Sequence, residues 1–407
     1  MPHERLEPVL QAEIDDLARA GTSKGQEKVI TGVVDPKGAS GPRYRLAGSD
    51  HSFIRMNSNS YLGLSRHPAV VEAEEGATRA FGAGPGAVRF ISGTYQMHLD
   101  LEMELSGFHG RQKTMVLSSA YATVLSTLTS LISQETVVFS DELNHNCIIN
   151  ALRMARPADR VIYDHLDFEQ LGTRLGHAAG SARRALIVTD GVFSMRGDYA
   201  ELSSLMQIAR DHDADFEEGA VVVVDDSHGV GAYGSMGRGT EEVTGSGPVD
   251  VLIGTLGKAF GVNGGYVTGS DVLVGFLRER ASMYIYSNPI TVGEAAAATT
   301  SVAIAGSSEG ENRLRHLATM TGQFESGLVE LGFETIPGPH PIVPLMVRDT
   351  ERTSALVKHL SDNGVLATGL NYPVVPKGDE EIRFQVNADH TEADIGQVLE
   401  VLGDFSG

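Results

Sequence analysis

The sequence predicts an α/β architecture: a mostly parallel central sheet flanked by helices, with a smaller α+β domain at the C-terminal end. Three observations predict it. Short runs of continuous apolar residues recur between residues 115 and 268, separated by segments of helical period. Strands apolar on both faces must be covered on both faces, which is the condition of a parallel sheet. From about Thr291 the pattern changes to a long helix followed by short, spaced strands, and 407 residues are enough for more than one domain.

Taken in order, residues 4–20 read as an amphipathic helix, with Leu6, Val9, Leu10, Ile14 and Leu17 at helical spacing. The stretch from Gly21 to about Asp50 is polar, carries Lys24, Lys28, Lys37, Arg43 and Arg45, and reads as a solvated arm. Expected strands are Met115–Leu117, Thr136–Ser140, Arg160–Tyr163, Ala185–Thr189, Ala220–Val224, Val251–Gly254 and Gly265–Thr268. Helices are expected between them at Ser119–Ile132, Asn146–Arg156, Phe168–His177, Leu202–His212 and Asp271–Met283. In the last part Ile342–Val347, Leu366–Thr368 and Glu381–Val386 read as strands. The expected division is a helix and arm over 1–55, a large domain over 56–290 and a small one over 291–407.

The balance of 32 basic against 53 acidic residues, a net charge of −21, argues against nucleic acid or an anionic membrane as partner. Cys147 is the only cysteine, which excludes an internal disulfide and fits a reducing compartment. No apolar signal core stands at the N-terminus, and the alanine-rich stretch Thr291–Ala305 is too short to span a bilayer. A cytoplasmic enzyme acting on small molecules is expected.

Ligands of a parallel α/β sheet bind beyond the carboxyl ends of its strands, so polar residues there carry the chemistry. The run Ala220–Val224 ends in Asp225-Asp226-Ser227-His228, and Val249–Ile253 ends in Gly254-Thr255-Leu256-Gly257-Lys258. An acid and an imidazole at one strand end, and a lysine between glycines at another, suit pyridoxal 5′-phosphate (PLP). The acid would hold the ring nitrogen protonated, His228 would bond the phenolic oxygen, and Lys258 would form a Schiff base with the aldehyde. Each residue also has a plainer reading: Asp225 as a helix cap, Asp226 and His228 as metal ligands, Lys258 as a surface lysine.

Ser118-Ser119-Ala120-Tyr121 follows a short strand and opens a helix, whose free N–H groups make a phosphate site or a simple N-cap. The hydroxyl of Thr255 could join that site. His145 could stack on a pyridine ring or be a loop histidine, and Ser194 could reach the phenolic oxygen or sit in a turn. Arg383 would clamp a carboxylate if its strand register turns it inward. Cys147 reads as a small helix residue with no activating partner.

These residues resemble the α-oxoamine synthases of the fold-type-I PLP enzymes. The resemblance rests on Asn59–Leu64, Gly84–Thr94, His98, Leu143-Asn144-His145, Thr189–Met195, Asp225–Gly231, Thr255–Lys258 and Tyr372–Gly378. It implies Lys258 as Schiff-base lysine and base, Asp225 on the pyridine nitrogen, His145 on the ring face, and Ser194 and His228 on the phenolic oxygen. It implies Thr255 and the amides of Ala120 and Tyr121 on the phosphate, and Ser287 and Asn288 on the phosphate of a partner subunit in a homodimer. Asn59 and Arg383 would handle substrate polar groups, Arg383 the carboxylate. The implied activity is condensation of an amino acid with an acyl thioester, carried by coenzyme A or an acyl carrier protein, with decarboxylation a possible sequel. Lys24, Lys28, Arg43 and Arg45 are then candidates for the phosphates of coenzyme A. Retro-aldol cleavage of a β-hydroxy amino acid and a non-catalytic partner subunit are the alternatives. The chain departs from the family pattern at Pro85, Tyr95, Met97, Arg196 and after Lys258.

Overall fold

The computed structural model describes residues 3–20, 23, 27–372 and 374–405. Seven strands form the central sheet, in the order Lys113–Leu117, Gly265–Gly269, Val251–Thr255, Ala220–Asp225, Arg184–Asp190, Thr136–Asp141, Asp159–Tyr163. All run the same way except Gly265–Gly269, which is antiparallel to both neighbours. The cause is loop length. Residues 256–264 are too few to cross over the sheet, so the chain must turn back. Lys258 lies in that turn.

Alternate strand residues feed two cores. Val223, Val251, Ile253 and Val267 pack with Val124, Leu128, Ile148 and Leu277 on one face. Val222, Val224, Leu252 and Phe139 pack with Leu171, Leu175, Leu202 and Leu205 on the other. Each fully buried side chain of this size contributes about 1.5–3 kcal/mol. The sheet is therefore a rigid platform for its carboxyl-end residues.

A second, four-stranded antiparallel sheet has the order Glu334–Thr335, Ile342–Met346, Glu381–Gln385, Thr368–Leu370. The strand expected at Leu366–Thr368 is two strands in different sheets: Val365–Leu366 pairs with Ser52–Arg55, and Thr368–Leu370 with Glu381–Gln385. The long helix expected from Thr291 is likewise two, Val292–Ala305 and Ser308–Glu330, because Ser307 caps the second by accepting from the Glu309 amide. Helices Pro68–Phe81 and Gln96–His109, not singled out above, pack on Val292–Ala305.

The solvated-arm reading of residues 21–50 is corrected. Ile30–Val34 pairs with Arg43–Leu46, which pairs with Ser52–Arg55. These strands are largely exposed, so no continuous apolar run announces them. Arg43 anchors them through Nη2, 2.6 Å from Asp394 Oδ1. It is thus engaged within the chain, whereas Lys28 and Arg45 are exposed; Lys24 lies outside the described residues. Helix Glu7–Arg19 buries none of its own residues. No helix among the described residues is long and apolar enough to cross a membrane.

Candidate active site

The carboxyl ends of the parallel strands meet the 256–264 turn and the start of helix Ala120–Leu131 in one cleft. It gathers Lys258, Asp225, His228, His145, Ser194, Ala120 and Tyr121 from the residues singled out in the sequence. Cys147, Asp190, Val192 and Ser227, which were not assigned roles there, also line it.

The Lys258 side chain makes no hydrogen bond or ion pair among the described residues, while its carbonyl accepts from the Gly261 amide at 3.0 Å. Burial pulls its ammonium down to about 8, against the opposing pull of Asp225 and Asp190. An amine so placed is a nucleophile and base near neutral pH. Thr255 serves the same turn: its hydroxyl accepts from the Gly257 amide at 3.1 Å and donates to the Gly264 carbonyl at 3.3 Å.

Asp225 and Asp226 point to opposite sides of the strand end, as period-two geometry requires. Asp226 faces the core, accepting from the Thr240 amide and hydroxyl, both at 2.7 Å. It is therefore engaged away from His228, and no group of residues suited to a metal ion occurs among the described residues. Asp225 faces the cleft, held by the Ser227 hydroxyl at 2.5 Å and amide at 3.2 Å. Cys147 Sγ lies 3.6 Å from its Oδ2, and burial together with Asp225 and Asp190 pushes that thiol up.

Asp190 stands beside Asp225 in the sheet register and accepts the His145 amide at 2.9 Å. Burial, then the charge of Asp225, raises its proton affinity well above the carboxylate range. The strand-end argument that finds Asp225 also reaches Asp190, in Thr189-Asp190-Gly191. His145 caps helix Asn146–Ala155 by accepting from the Cys147 amide, with its ring edge-on to Tyr121 at 6.3 Å.

His228 is buried, and its Nδ1 lies 2.8 Å from Tyr61 Oη. Burial and the charges of Lys258 and Arg383 hold its imidazole well below its usual range, so it is neutral. Asn59 Oδ1 accepts from Tyr61 Oη at 3.2 Å and from Arg383 Nη2 at 3.3 Å. The register left open in the sequence is thus resolved: Arg383 turns toward Asn59, Tyr61 and the cleft. His340 donates from Nε2 to the His228 carbonyl at 2.9 Å. No sequence signal marks His340.

At the other end Ser119 accepts from the Ala122 amide, and the Ala120 and Tyr121 amides have no partner among the described residues. Gly265 lets this helix start approach the sheet, since a Cβ there would lie 2.3 Å from the Ala120 nitrogen. Ser287 and Asn288 follow the short helix Ser282–Ile285 and do not line this chain's cleft.

The donor set fits pyridoxal 5′-phosphate. A lysine without a counter-ion, a strand-end carboxylate, a neutral histidine and two free helix-start amides match its aldehyde, ring nitrogen, phenolic oxygen and phosphate.

Residues 51–402 match the aminotransferase class I and II family. The chain is 37% identical to the mitochondrial 2-amino-3-ketobutyrate coenzyme A ligase of Bos taurus, over 97% of this chain and 91% of that one. It is 35% identical to the 8-amino-7-oxononanoate synthase of Thermosipho melanesiensis, over 96% of each. Sphingomonas wittichii serine palmitoyltransferase has a solved structure that superposes with a TM-score of 0.88 at 26% identity, covering 98% of this chain and 97% of that one. An SPT structure with PLP superposes with a TM-score of 0.85 at 27% identity, covering 97% and 96%.

Proposed function

The chain belongs to the aminotransferase class I and II family, and on that premise we propose that its cleft condenses an amino acid with an acyl thioester. It is a PLP-dependent acyltransferase of the α-oxoamine synthase type. The observation that carries the reading is Lys258, buried on a glycine-flanked turn in a cleft that Asp225 also lines.

When bound, PLP supplies an aldehyde for the amino nitrogen and an electron-withdrawing ring that stabilises negative charge at the α-carbon. Lys258 would hold the aldehyde carbon, Asp225 the ring nitrogen, and His228 and Ser194 the phenolic oxygen. The amides of Ala120 and Tyr121, with Thr255, would hold the phosphate, and His145 would cover the ring face. Arg383 and Asn59 orient the amino acid by its carboxylate. Lys258 Nζ, as the free amine, takes the α-proton. Ser227 fixes the Asp225 carboxyl group in the cleft through its hydroxyl and amide.

Coenzyme A in the name of one relative favours an acyl-CoA donor, with exposed Lys28 and Arg45 as candidate phosphate contacts. Decarboxylation on the enzyme is part of the proposal. So is a homodimer in which Ser287 and Asn288 reach the partner's phosphate site. Phe90, Ile91, Met103 and Tyr286 are 64%, 65%, 70% and 80% exposed, and a partner subunit would cover them in such a homodimer. We place the domain boundaries near residues 56 and 291 and the protein in the cytoplasm.

The test is a panel of amino acids, each with and without acyl thioesters, scored by release of free thiol. Thiol release that needs both substrates supports condensation. Cleavage of a β-hydroxy amino acid without any thioester supports retro-aldol chemistry. A colourless protein in the presence of PLP would return the chain to the non-catalytic reading.

A further inference from the structure

Glu381 is a buried carboxyl group that none of the roles above uses. It is 2% exposed, and its Oε1 has no hydrogen-bond partner among the described residues. It precedes Arg383 by two positions in the strand Glu381–Gln385, so both side chains leave the same face of the small sheet. That face carries Arg383 to Asn59 and the cleft. Across the sheet Glu381 is flanked by Met346 and Leu370, neither of which offers a polar side chain.

The charged groups around it come from three elements. Arg383 is on its own strand, Arg196 and Asp198 are on the loop after strand Arg184–Asp190, and Asp379 is on the turn before the strand. Neither arginine is ion-paired with it. Arg196 instead gives Nε to Asp198 at 2.8 Å. A buried carboxyl oxygen without a hydrogen-bonded partner is costly.

We propose that Glu381 is a positioning residue for Arg383: it supplies the counter-charge while the subsite is empty and takes up a proton when the α-carboxylate of the amino acid binds. The proposal rests on Arg383 being the carboxylate site. An incoming carboxylate neutralises the guanidinium and places a like charge near Glu381, and both effects raise the proton affinity of Glu381. Burial already lifts this carboxyl to about 7, against the pull of Arg383 and Arg196 and with the push of Asp379 and Asp198. The proton comes from solvent and forms one O–H bond on the carboxyl group; nothing else changes. By linkage, amino acid affinity falls as pH rises above about 7, where Glu381 of the empty site is ionised.

The experiment measures dissociation constants of glycine, alanine and serine for the holoenzyme, read from the visible absorbance of the bound cofactor, from about pH 6 to about pH 9. Wild type is compared with Glu381→Gln. Titrations of Lys258 and of the amino acid are common to both, so the ratio of the two constants isolates Glu381. The expected ratio is pH-independent below about 6.5 and climbs by up to roughly tenfold per pH unit above 7 as wild type weakens. A second measurement needs no variant: propionate, a carboxylate without an amino group, is titrated calorimetrically in two buffers of different ionisation enthalpy near pH 8. Net proton uptake is expected. A flat ratio, or propionate binding without uptake, overturns the role of Glu381 alone. Failure of every amino acid to perturb the wild-type cofactor overturns the functional reading as well.

Discussion

Tyr61 Oη lies 2.8 Å from His228 Nδ1, and this contact ties the segment before the first large-domain helix to the loop that follows the Asp225 strand. The phenol is the only partner of that nitrogen among the described residues. It is buried, and burial pushes its ionisation up despite the nearby Arg383. Tyr61→Phe therefore leaves a buried imidazole nitrogen unsatisfied. A loss of about 1–3 kcal/mol is expected in urea unfolding, with weaker cofactor retention, because the ring orientation of His228 is no longer held. Unchanged stability would show that the ring finds another partner.

The burial that suits Lys258 to the proposed role comes at the expense of stability. Its folded-state pKa, about 8, lies below the unfolded value of 10.5. The cost of burying the charge is full below pH 8 and disappears as pH rises from 8 to 10.5. In the cofactor-free protein, Lys258→Met should melt higher than wild type below pH 8, with the difference closing by pH 10.5. The same variant should lose at least about 10²–10⁴-fold in turnover, the usual weight of a positioned base. Borohydride trapping of the wild-type holoenzyme should label the peptide that contains Lys258.

Glu102 is bonded on both oxygens. Arg89 Nη1 is 3.1 Å from Oε1, which also accepts the Val116 amide at 3.1 Å, and Arg278 Nη2 is 2.7 Å from Oε2. Arg89 and Glu102 are both buried. Glu102→Ala leaves buried positive charge unmatched, and an expected loss of about 3–5 kcal/mol is measurable by chemical denaturation. Arg89→Met with Glu102→Leu should restore much of it.

His165 stands between Asp141, 2.9 Å from Nδ1, and Asp198, 3.2 Å from Nε2. Burial works against its charge, but hydrogen bonds to the two carboxylates outweigh it and lift the imidazole to about 9. A raised folded-state value stabilises fully below the unfolded 6.5 and is lost as pH climbs through 9. His165→Gln should flatten the pH dependence of melting between those limits. Since Asp198 also holds Arg196, the loop carrying Ser194 should become more protease-sensitive in that variant.

Much of the sheet and part of the site were legible because their signals are local. Val221 to Val224 form a strand apolar on both faces, and the polar residues that end it must lie at its carboxyl end. The same logic reaches Lys258, His145 and Ser194, and could have reached Asp190. The arm strands Ile30–Val34 and Arg43–Leu46 escaped it because half-exposed strands lack an apolar run, and they depend on Asp394, far along the chain.

Local periodicity determines which residues stand at strand ends and helix starts, and therefore which chemistry the chain can present; that much the sequence decides by itself. Only the tertiary structure decides that Asn59 and Tyr61 meet Arg383, that His340 reaches the carbonyl of His228, and that Glu381 Oε1 is buried without a hydrogen-bond partner among the described residues. Those contacts join residues more than a hundred positions apart, 112 for His340 and His228 and 324 for Arg383 and Asn59. They follow from how three sheets and their helices close on each other, which minimises exposed apolar surface over the whole chain and leaves no trace in the spacing of any one segment.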